Sequence, residues 1–230
     1  MNKPDIRVII PAFNEQNAVS LVVEEIPKEL VNEIIVIDNG SNDNTYEQAK
    51  KAGATALKET RRGYGQACLK GMDYISDGGS KPDIIVFLDG DHSDYPSQMG
   101  DLIKPIIEDN VDLVIGSRAL GQKEKGSMTP QQIFGNWLAT SLLKLLYGVT
   151  YTDLGPFRAI KYESLLAIDM KDTNYGWTVE MQLKAAKLKM KTIDVPVNYR
   201  QRIGISKVSG TLKGTIMAGY KIIFTIFRYL

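Results

Sequence analysis

The sequence predicts an α/β fold: a mostly parallel sheet flanked by helices, with an amphipathic helix over residues 212–230. Three observations lead there. The first 120 residues alternate short Val/Ile-rich runs with stretches in helical spacing. The runs are continuously apolar rather than alternating, as in strands covered on both faces. Most of them also end in polar clusters, which right-handed crossovers would line up along one sheet edge.

Taken in order, strands are expected over residues 6–10, 33–37, 84–88 and 112–115, with a weaker one at Thr55–Lys58. Helices are expected between them, over 18–30, 44–52, 66–75 and 97–108. Residues 121–126 are polar and Lys-rich and read as a mobile loop. Pro130–Tyr147 reads as a helix, with Pro130 near its first position and Ile133, Trp137, Leu138, Leu142, Leu145 and Leu146 on one apolar side. A helix over 178–188 and a strand over 191–199 follow. At about 100° per residue, Leu212, Ile216, Tyr220, Ile223, Phe227 and Leu230 share one face. Lys213, Lys221 and Arg228 fall on another, with Phe224 toward that basic side. Such a helix either packs on the sheet or lies on an anionic membrane surface. No Pro/Gly/Ser-rich linker divides the chain, so residues 1–210 read as one domain and 211–230 as an appended, interfacial helix.

Composition narrows the function. The 28 Lys and Arg against 27 Asp and Glu leave a net charge of +1, with no basic excess to recruit nucleic acid. Hydrophobic residues at 43% and charged residues at 24% suit a globular core and exclude disorder. Cys68 is the single cysteine, which rules out an internal disulfide or a cysteine metal cluster and suits a reducing compartment. The first 15 residues carry Pro, Asn and acidic side chains where a secretion signal would be apolar. No apolar run reaches the ~18 residues of a membrane span. A cytoplasmic protein, at most peripheral to a membrane, is expected.

Asp89-Gly90-Asp91 is the sharpest motif, because it follows the apolar run 84–88. Two carboxylates two residues apart at a sheet edge either form a solvated turn or hold one hard cation, Mg²⁺ or Mn²⁺. Gly90 leaves room for close approach. The other strand ends contribute Pro11, Ala12, Asn14 and Glu15, then Asp38 and Ser41, then Gly116, Ser117 and Arg118. Asn14 or Asp43 alone would suit a helix cap; their convergence on one edge argues for a site. Gly63 and Gly65 suggest a tight turn and close ligand approach, without the third glycine of a dinucleotide motif, since Cys68 stands there. Arg158, and then Arg200, Arg202 and Lys207 beside Ser206, offer donors for phosphate, although the later cluster could also be a solvated basic loop. His92 is the single histidine and reads as a bystander, with no nucleophile elbow nearby.

As an ordered set, the Pro-Ala-Phe-Asn-Glu stretch, Asp38, Asp89-Gly90-Asp91, Gly-Ser-Arg at 116–118, Phe-Arg-Ala at 157–159 and the late Arg-x-x-Gly-x-Ser-Lys resemble the inverting glycosyltransferase family 2. Within it the chain is most similar to the dolichol-phosphate mannosyltransferase type, over roughly residues 5–210. The resemblance implies a GT-A, Rossmann-like fold and a nucleotide diphosphate sugar, GDP- or UDP-linked, as donor. Pro11, Ala12, Asn14, Glu15, Asp38, Ser41, Gly65, Asp89 and Gly90 would then bind the nucleotide sugar. Asp89 and Asp91 would hold the divalent metal. Arg118, Arg202, Ser206 and Lys207 would bind the acceptor phosphate, and Asp91, Arg118 and Arg202 would be catalytic. The implied acceptor is a polyprenyl phosphate, dolichyl or undecaprenyl, reached from the cytoplasmic face of a membrane. There are departures: Ser93 stands where relatives often have Gln, and Leu-Gly-Pro-Phe-Arg at 154–158 replaces the usual Ser-Gly-Phe-Arg. A hydroxyl acceptor would instead need a carboxylate base, for which Glu180 or Asp153 are candidates. A non-catalytic nucleotide-sugar-binding protein is the reading from another class, which the intact carboxylate pair disfavours.

Overall fold

A computed structural model describes residues 3–79, 81–204 and 212–230. The elements run β1 (Ile6–Ala12), α1 (Val19–Glu25), β2 (Glu33–Asp38), α2 (Thr45–Lys51), β3 (Thr55–Lys58), α3 (Tyr64–Asp77), β4 (Ile84–Phe87), α4 (Met99–Asp109), β5 (Leu113–Ser117), α5 (Pro130–Tyr147), β6 (Arg158–Lys161), α6 (Tyr162–Ile168), α7 (Trp177–Lys187), β7 (Thr192–Pro196) and α8 (Leu212–Arg228). Among the described residues they build one sheet, in the order β3-β2-β1-β4-β6-β5-β7.

Successive side chains of a strand point to opposite faces, and here both faces are covered. In β1, Val8 and Ile10 join Val22, Val36, Val86 and Leu102 in one core layer. Ile9 joins Ile35, Phe87, Ile115 and Trp177 in the other. This is why the runs are apolar at every position. Each buried branched or aromatic side chain contributes roughly 1.5–3 kcal/mol.

The sequence does not signal β6 or α6. Arg-Ala-Ile-Lys is too short and too charged at its ends to stand out. The strand slots between β4 and β5, antiparallel to both, with Arg158 opposite Phe87 and Ile115. Reversal matters for function. It brings the start of β6, rather than its end, to the edge where the parallel strands finish.

Helix α5 has the predicted bounds because both ends are chemically marked. Thr129 and Gln132 form a reciprocal capping box, Pro130 opens the first turn, and Gly148 closes the helix in the left-handed conformation. The predicted apolar side is different. Ala139 and Leu143 are buried, whereas Ile133, Phe134, Trp137 and Leu145 are exposed, by 52–78%. This helix is apolar nearly all round, so periodicity alone does not select the buried side. Helix α8 docks against α5 and α7 through buried Thr225 and Ile226. Its Tyr229 hydroxyl reaches Glu180 (2.8 Å), and Tyr147 of α5 reaches the Ile226 carbonyl (2.7 Å). Of the two dispositions open to the stripe read from spacing, the structure has the outward one: Ile216, Tyr220, Ile223, Phe227 and Leu230 are all exposed, with Met217 and Phe224.

Residues 121–126 are fastened rather than free. Tyr199 N–H donates to the Gln122 carbonyl (2.8 Å), and Glu124 N–H donates to the Tyr199 carbonyl (2.9 Å). Strand β7 accordingly stops at Pro196 and the chain continues as isolated bridges from Tyr199 to Asp94 and Lys123.

The glycines of Gly63-Tyr64-Gly65 make room for the chain's own backbone. A Cβ on Gly65 would lie 2.0 Å from the Asp172 carbonyl oxygen, and one on Gly63 would lie 2.1 Å from that of Thr173. Gly65→Ala should therefore destabilise the protein by about 1–3 kcal/mol, read as a lower urea midpoint. Gly135→Ala on α5, where a new Cβ meets nothing within 4 Å, should stabilise it by roughly 0.5–1 kcal/mol.

Candidate active site

The loops after β1 and β2 are knitted together by the polar residues that end those strands. Asp38 is buried and accepts from Ser41 N–H (2.9 Å). Asn14, in the left-handed conformation at φ 54°, donates its N–H to the Ser41 hydroxyl (2.9 Å) and accepts from Asn42 N–H (2.8 Å). Asp38, Asn14 and Ser41 thus shape the rim without lining the space it encloses. Gly65 lies behind it, against Asp172.

That space is a cavity of about 350 Å³, and Pro11, Ala12, Glu15, Asp89, Gly90, Asp91 and Arg202 all line it. Sequence reasoning missed several of its walls. Asn39 holds the glycine turn, accepting from Gly63 N–H (2.8 Å) and donating to the Arg61 carbonyl (2.7 Å). The Arg62 guanidinium lies 3.8 Å from the centre of the Phe13 ring. Both residues sat inside motifs already singled out, but nothing in the sequence pairs them. Asn174 and Tyr175 arrive from the segment before α7.

At the cavity floor, Asp89 accepts from the Tyr64 hydroxyl (2.9 Å). Burial, with the charge of Asp91 beside it, pushes the Asp89 carboxyl up to about 7. Asp91 accepts from Ser93 N–H (2.9 Å) and from the Ser93 hydroxyl (2.6 Å). Its other oxygen meets Arg202 Nη1 at 3.1 Å, while Arg202 Nη2 meets Glu15 at 2.7 Å. Arg202, expected at an acceptor phosphate, therefore bridges two carboxylates at the cavity floor. Ser206 and Lys207, expected beside it, lie outside the described residues. Asp94 was not anticipated. It is 2% exposed, and neither of its carboxylate oxygens has a partner among the described residues. Burial, then the charges of Asp89 and Asp91, pushes its carboxyl far above the usual range.

This surplus of negative charge fits a hard divalent cation. No group of three or more His, Cys, Asp or Glu side chains converges in ligating geometry among the described residues. Asp89 and Asp91 would offer two carboxylates to an ion that completes its shell with water and phosphate.

A second cavity, of about 320 Å³, shares Tyr64, Asp89, Asp91, Tyr175 and Arg202 with the first and continues past Arg118 between α5, α7 and α8. Asp153 holds Arg118 in a fork, at 2.8 Å to Nε and 2.7 Å to Nη2, and also accepts from the Arg118 N–H (2.8 Å). Burial opposes both charges, but the pair outweighs it: Asp153 is held below the ordinary carboxylate range and Arg118 above its own. An acid so held is a poor general base. Glu180 is equally committed. It accepts from the Lys171 and Asp172 N–H groups and the Tyr229 hydroxyl, and pairs with Lys184 at 2.8 Å.

Two further arginines are structural. Arg158 is fully buried and donates to the Leu154, Gly155 and Thr178 carbonyls, with burial lowering its pKa to about 10. It ties the loop before β6 to the start of α7 and offers nothing to a phosphate. Arg200 binds Glu25 and the His92 carbonyl, each at 2.7 Å. His92 itself meets Glu25 at 2.8 Å.

The raised Asp89 pKa fixes a sign. The folded state holds this proton more tightly than the unfolded chain, so its contribution to stability falls as pH rises from about 4 to about 7. Asp89→Asn should raise the melting temperature of the metal-free protein at pH 8 and leave it nearly unchanged at pH 4. Differential scanning calorimetry in EDTA reads both.

Comparison with known proteins agrees with this architecture. Residues 7–168 match the family model described as Glycosyl transferase family 2. The chain is 30% identical to the UDP-N-acetylglucosamine–dolichyl-phosphate N-acetylglucosaminyltransferase of Methanococcus voltae, over 96% of this chain and 94% of that protein. It is 28% identical to the undecaprenyl-phosphate mannosyltransferase of Micrococcus luteus, over 91% and 89%. Among solved structures, glucosyl-3-phosphoglycerate synthase of Mycobacterium tuberculosis, crystallised with Mn²⁺, UDP-glucose and phosphoglyceric acid, superposes with a TM-score of 0.76 at 22% identity, covering 98% of this chain and 79% of that one. The fold is GT-A, and the chain belongs to glycosyl transferase family 2, a family of sugar-transferring enzymes.

Proposed function

We propose that this glycosyltransferase moves a sugar from a UDP- or GDP-sugar onto a polyprenyl phosphate at a membrane surface, with inversion at the anomeric carbon. The observation that carries the reading is the pair of cavities meeting at Asp89, Asp91 and Arg202. The first, walled by strand ends, suits the nucleotide: Pro11, Ala12, Glu15 and Gly90 line it, and Asn14, Asp38, Ser41 and Gly65 hold its walls. The second, with Arg118 on its wall, suits the acceptor phosphate. The names of the Methanococcus and Micrococcus relatives, both transferases to polyprenyl phosphates, support the acceptor. The Mn²⁺ and UDP-glucose of the Mycobacterium structure support the donor and the ion.

Asp89 and Asp91 would hold Mg²⁺ or Mn²⁺, which when bound stabilises the charge of the departing diphosphate as a Lewis acid. Arg118 and Arg202 add fixed positive charge where acceptor and diphosphate approach each other. A phosphate monoester is largely dianionic at neutral pH, its second pKa being about 6. One of its oxygens attacks the anomeric carbon, and the bond to the nucleoside diphosphate breaks with its electron pair leaving on that group. No protein base is required, in keeping with Asp153 and Glu180 both being engaged elsewhere.

The membrane part of the reading rests on the outer faces of α5 and α8. Phe134, Trp137, Ile216, Tyr220 and Phe227 stand exposed on two helices that pack against each other. Apolar side chains gathered in this way mark an interaction surface, and exposed Lys144 and Arg228 on the same helices suit anionic lipid. No helix among the described residues is long and apolar enough to cross a bilayer. The enzyme would thus lie peripherally, at the cytoplasmic face, with 211–230 as its interfacial helix.

Radiolabelled UDP- and GDP-sugars offered with polyprenyl phosphate or with hydroxyl acceptors test the reaction. A lipid-phosphate product abolished by EDTA is expected; transfer to hydroxyl acceptors alone would overturn the acceptor. Asp91→Ala should lower turnover at least ~100-fold. Trp137→Ser with Phe227→Ser should reduce flotation with anionic liposomes, and undiminished flotation of a folded variant removes the membrane face.

A further inference from the structure

Helix α8 has an inner side that reaches toward the site. Lys221, which spacing puts on the basic side of the helix, pairs with Asp172 at 2.9 Å. Asp172 lies in the segment between α6 and α7, and its side chain is 7% exposed. One of its carboxylate oxygens accepts from Asn174 N–H (2.7 Å) and Gly176 N–H (3.1 Å), and the other takes Lys221. A second tie runs beside this one. The Tyr229 hydroxyl of α8 reaches Glu180, whose carboxylate also accepts from Lys171 N–H (3.1 Å) and Asp172 N–H (2.7 Å). Gly176 packs directly on the helix, since a Cβ there would lie 2.7 Å from Thr225 Oγ1. From the other side α3 holds the same segment, with Gln66 N–H donating to the Thr173 carbonyl (2.9 Å).

This clamp presents Asn174 to the first cavity and Tyr175, half-buried, to both. Five side chains are shared by the two cavities. Four of them bond to one another, Tyr64 to Asp89 and Arg202 to Asp91. The fifth, Tyr175, takes its place from the segment that carries it, and that segment is fastened at Asp172. A carboxylate so buried becomes costly once its cation is removed. It would regain solvation by turning outward, away from the N–H groups of Asn174 and Gly176. Tyr175 stands between those two residues.

Resting on the function proposed above, which puts the sugar where the cavities meet, we propose that Lys221 is a positioning residue for the donor: acting through Asp172, it sets Tyr175 against the sugar of the bound nucleotide sugar. Helix α8 thereby belongs to the scaffold of the active site, through its inner side, as well as to the apolar outer face. Small displacements of a group that meets a substrate carry large costs in binding and turnover, so an ion pair outside both cavities acts on the donor.

The test needs no lipid. Calorimetry with Mn²⁺ measures a panel of UDP- and GDP-sugars on the full chain and on variants shown to be folded by circular dichroism. For the sugar nucleotide that binds, Lys221→Met should raise Kd about 3- to 10-fold, and Lys221→Arg should restore it to within about twofold. Lys221→Gln takes the place of Lys221→Met if the latter does not fold. Tyr147→Phe removes a bond between α5 and α8 without touching residues 171–176, and should leave Kd within about twofold. Tyr175→Ala should raise Kd at least as much as Lys221→Met. Adding Lys221→Met to Tyr175→Ala should then change it by less than about twofold, because residues that act through one another are not additive. Unchanged affinity in Lys221→Met, equal weakening by Tyr147→Phe, or additive effects of Lys221→Met and Tyr175→Ala each overturn the proposal. A wild-type chain that binds no sugar nucleotide would instead overturn the donor reading itself, and the proposal with it.

Discussion

Like charges gathered in a dry place constrain this molecule more than any other interaction. Asp89, Asp91 and Asp94 lie within six residues at the end of β4, and Asp91 and Asp94 are almost fully buried. Carboxylates so close cannot all ionise without compensation. The compensation organises the surroundings. Asp89 is held near a pKa of 7, burial drives the Asp94 carboxyl well above its ordinary range, and Arg202 is drawn onto Asp91 and Glu15. The segment bearing Arg202 is pinned as well, with Arg200 N–H on the Ser93 carbonyl and Ile203 N–H on that of Asp91. The late basic stretch is thereby fastened over the acidic turn, and a cation entering between Asp89 and Asp91 would relieve the same repulsion.

The second organising device is the reversed strand. A purely parallel sheet would carry the start of β6 to the opposite edge. Its antiparallel insertion instead delivers residues 151–158 beside the ends of β4 and β5. Asp153 then fixes Arg118, and Arg158 fastens the Leu154 and Gly155 carbonyls to that of Thr178 at the start of α7. Arg158 is expensive to bury, and its carbonyl partners are what make the burial tolerable. The wall of the second cavity, Trp177 included, hangs on this framework. The outer helices answer a different demand. They leave many of their larger apolar side chains outward, which is unfavourable in water and, on the proposed function, would be favourable against lipid.

Much of this was legible in the sequence alone. The alternation of apolar runs and helical spacing determined an α/β protein with a largely parallel sheet, because backbone periodicity is a local property and burial on both faces leaves a continuous apolar trace. The bounds of α5 were legible because caps are local chemistry. The strand-end clusters pointed to one functional edge for the same reason, and the carboxylate pair stood out by its position after a buried strand. Only the tertiary structure decided the rest. A four-residue antiparallel strand is set by its neighbours rather than by its own pattern. A helix that is apolar nearly all round acquires an inside only when others pack on it, so Ile133, Trp137 and Leu145 of the side that spacing picked out on α5 turned out exposed. Whether an arginine is a ligand clamp or a strut depends on partners far along the chain: Glu15 for Arg202, Thr178 for Arg158, Glu25 for Arg200. Charge and hydrogen bonding act through space, so a sequence can name the groups that carry them, while the fold decides which of those groups remain available to a substrate.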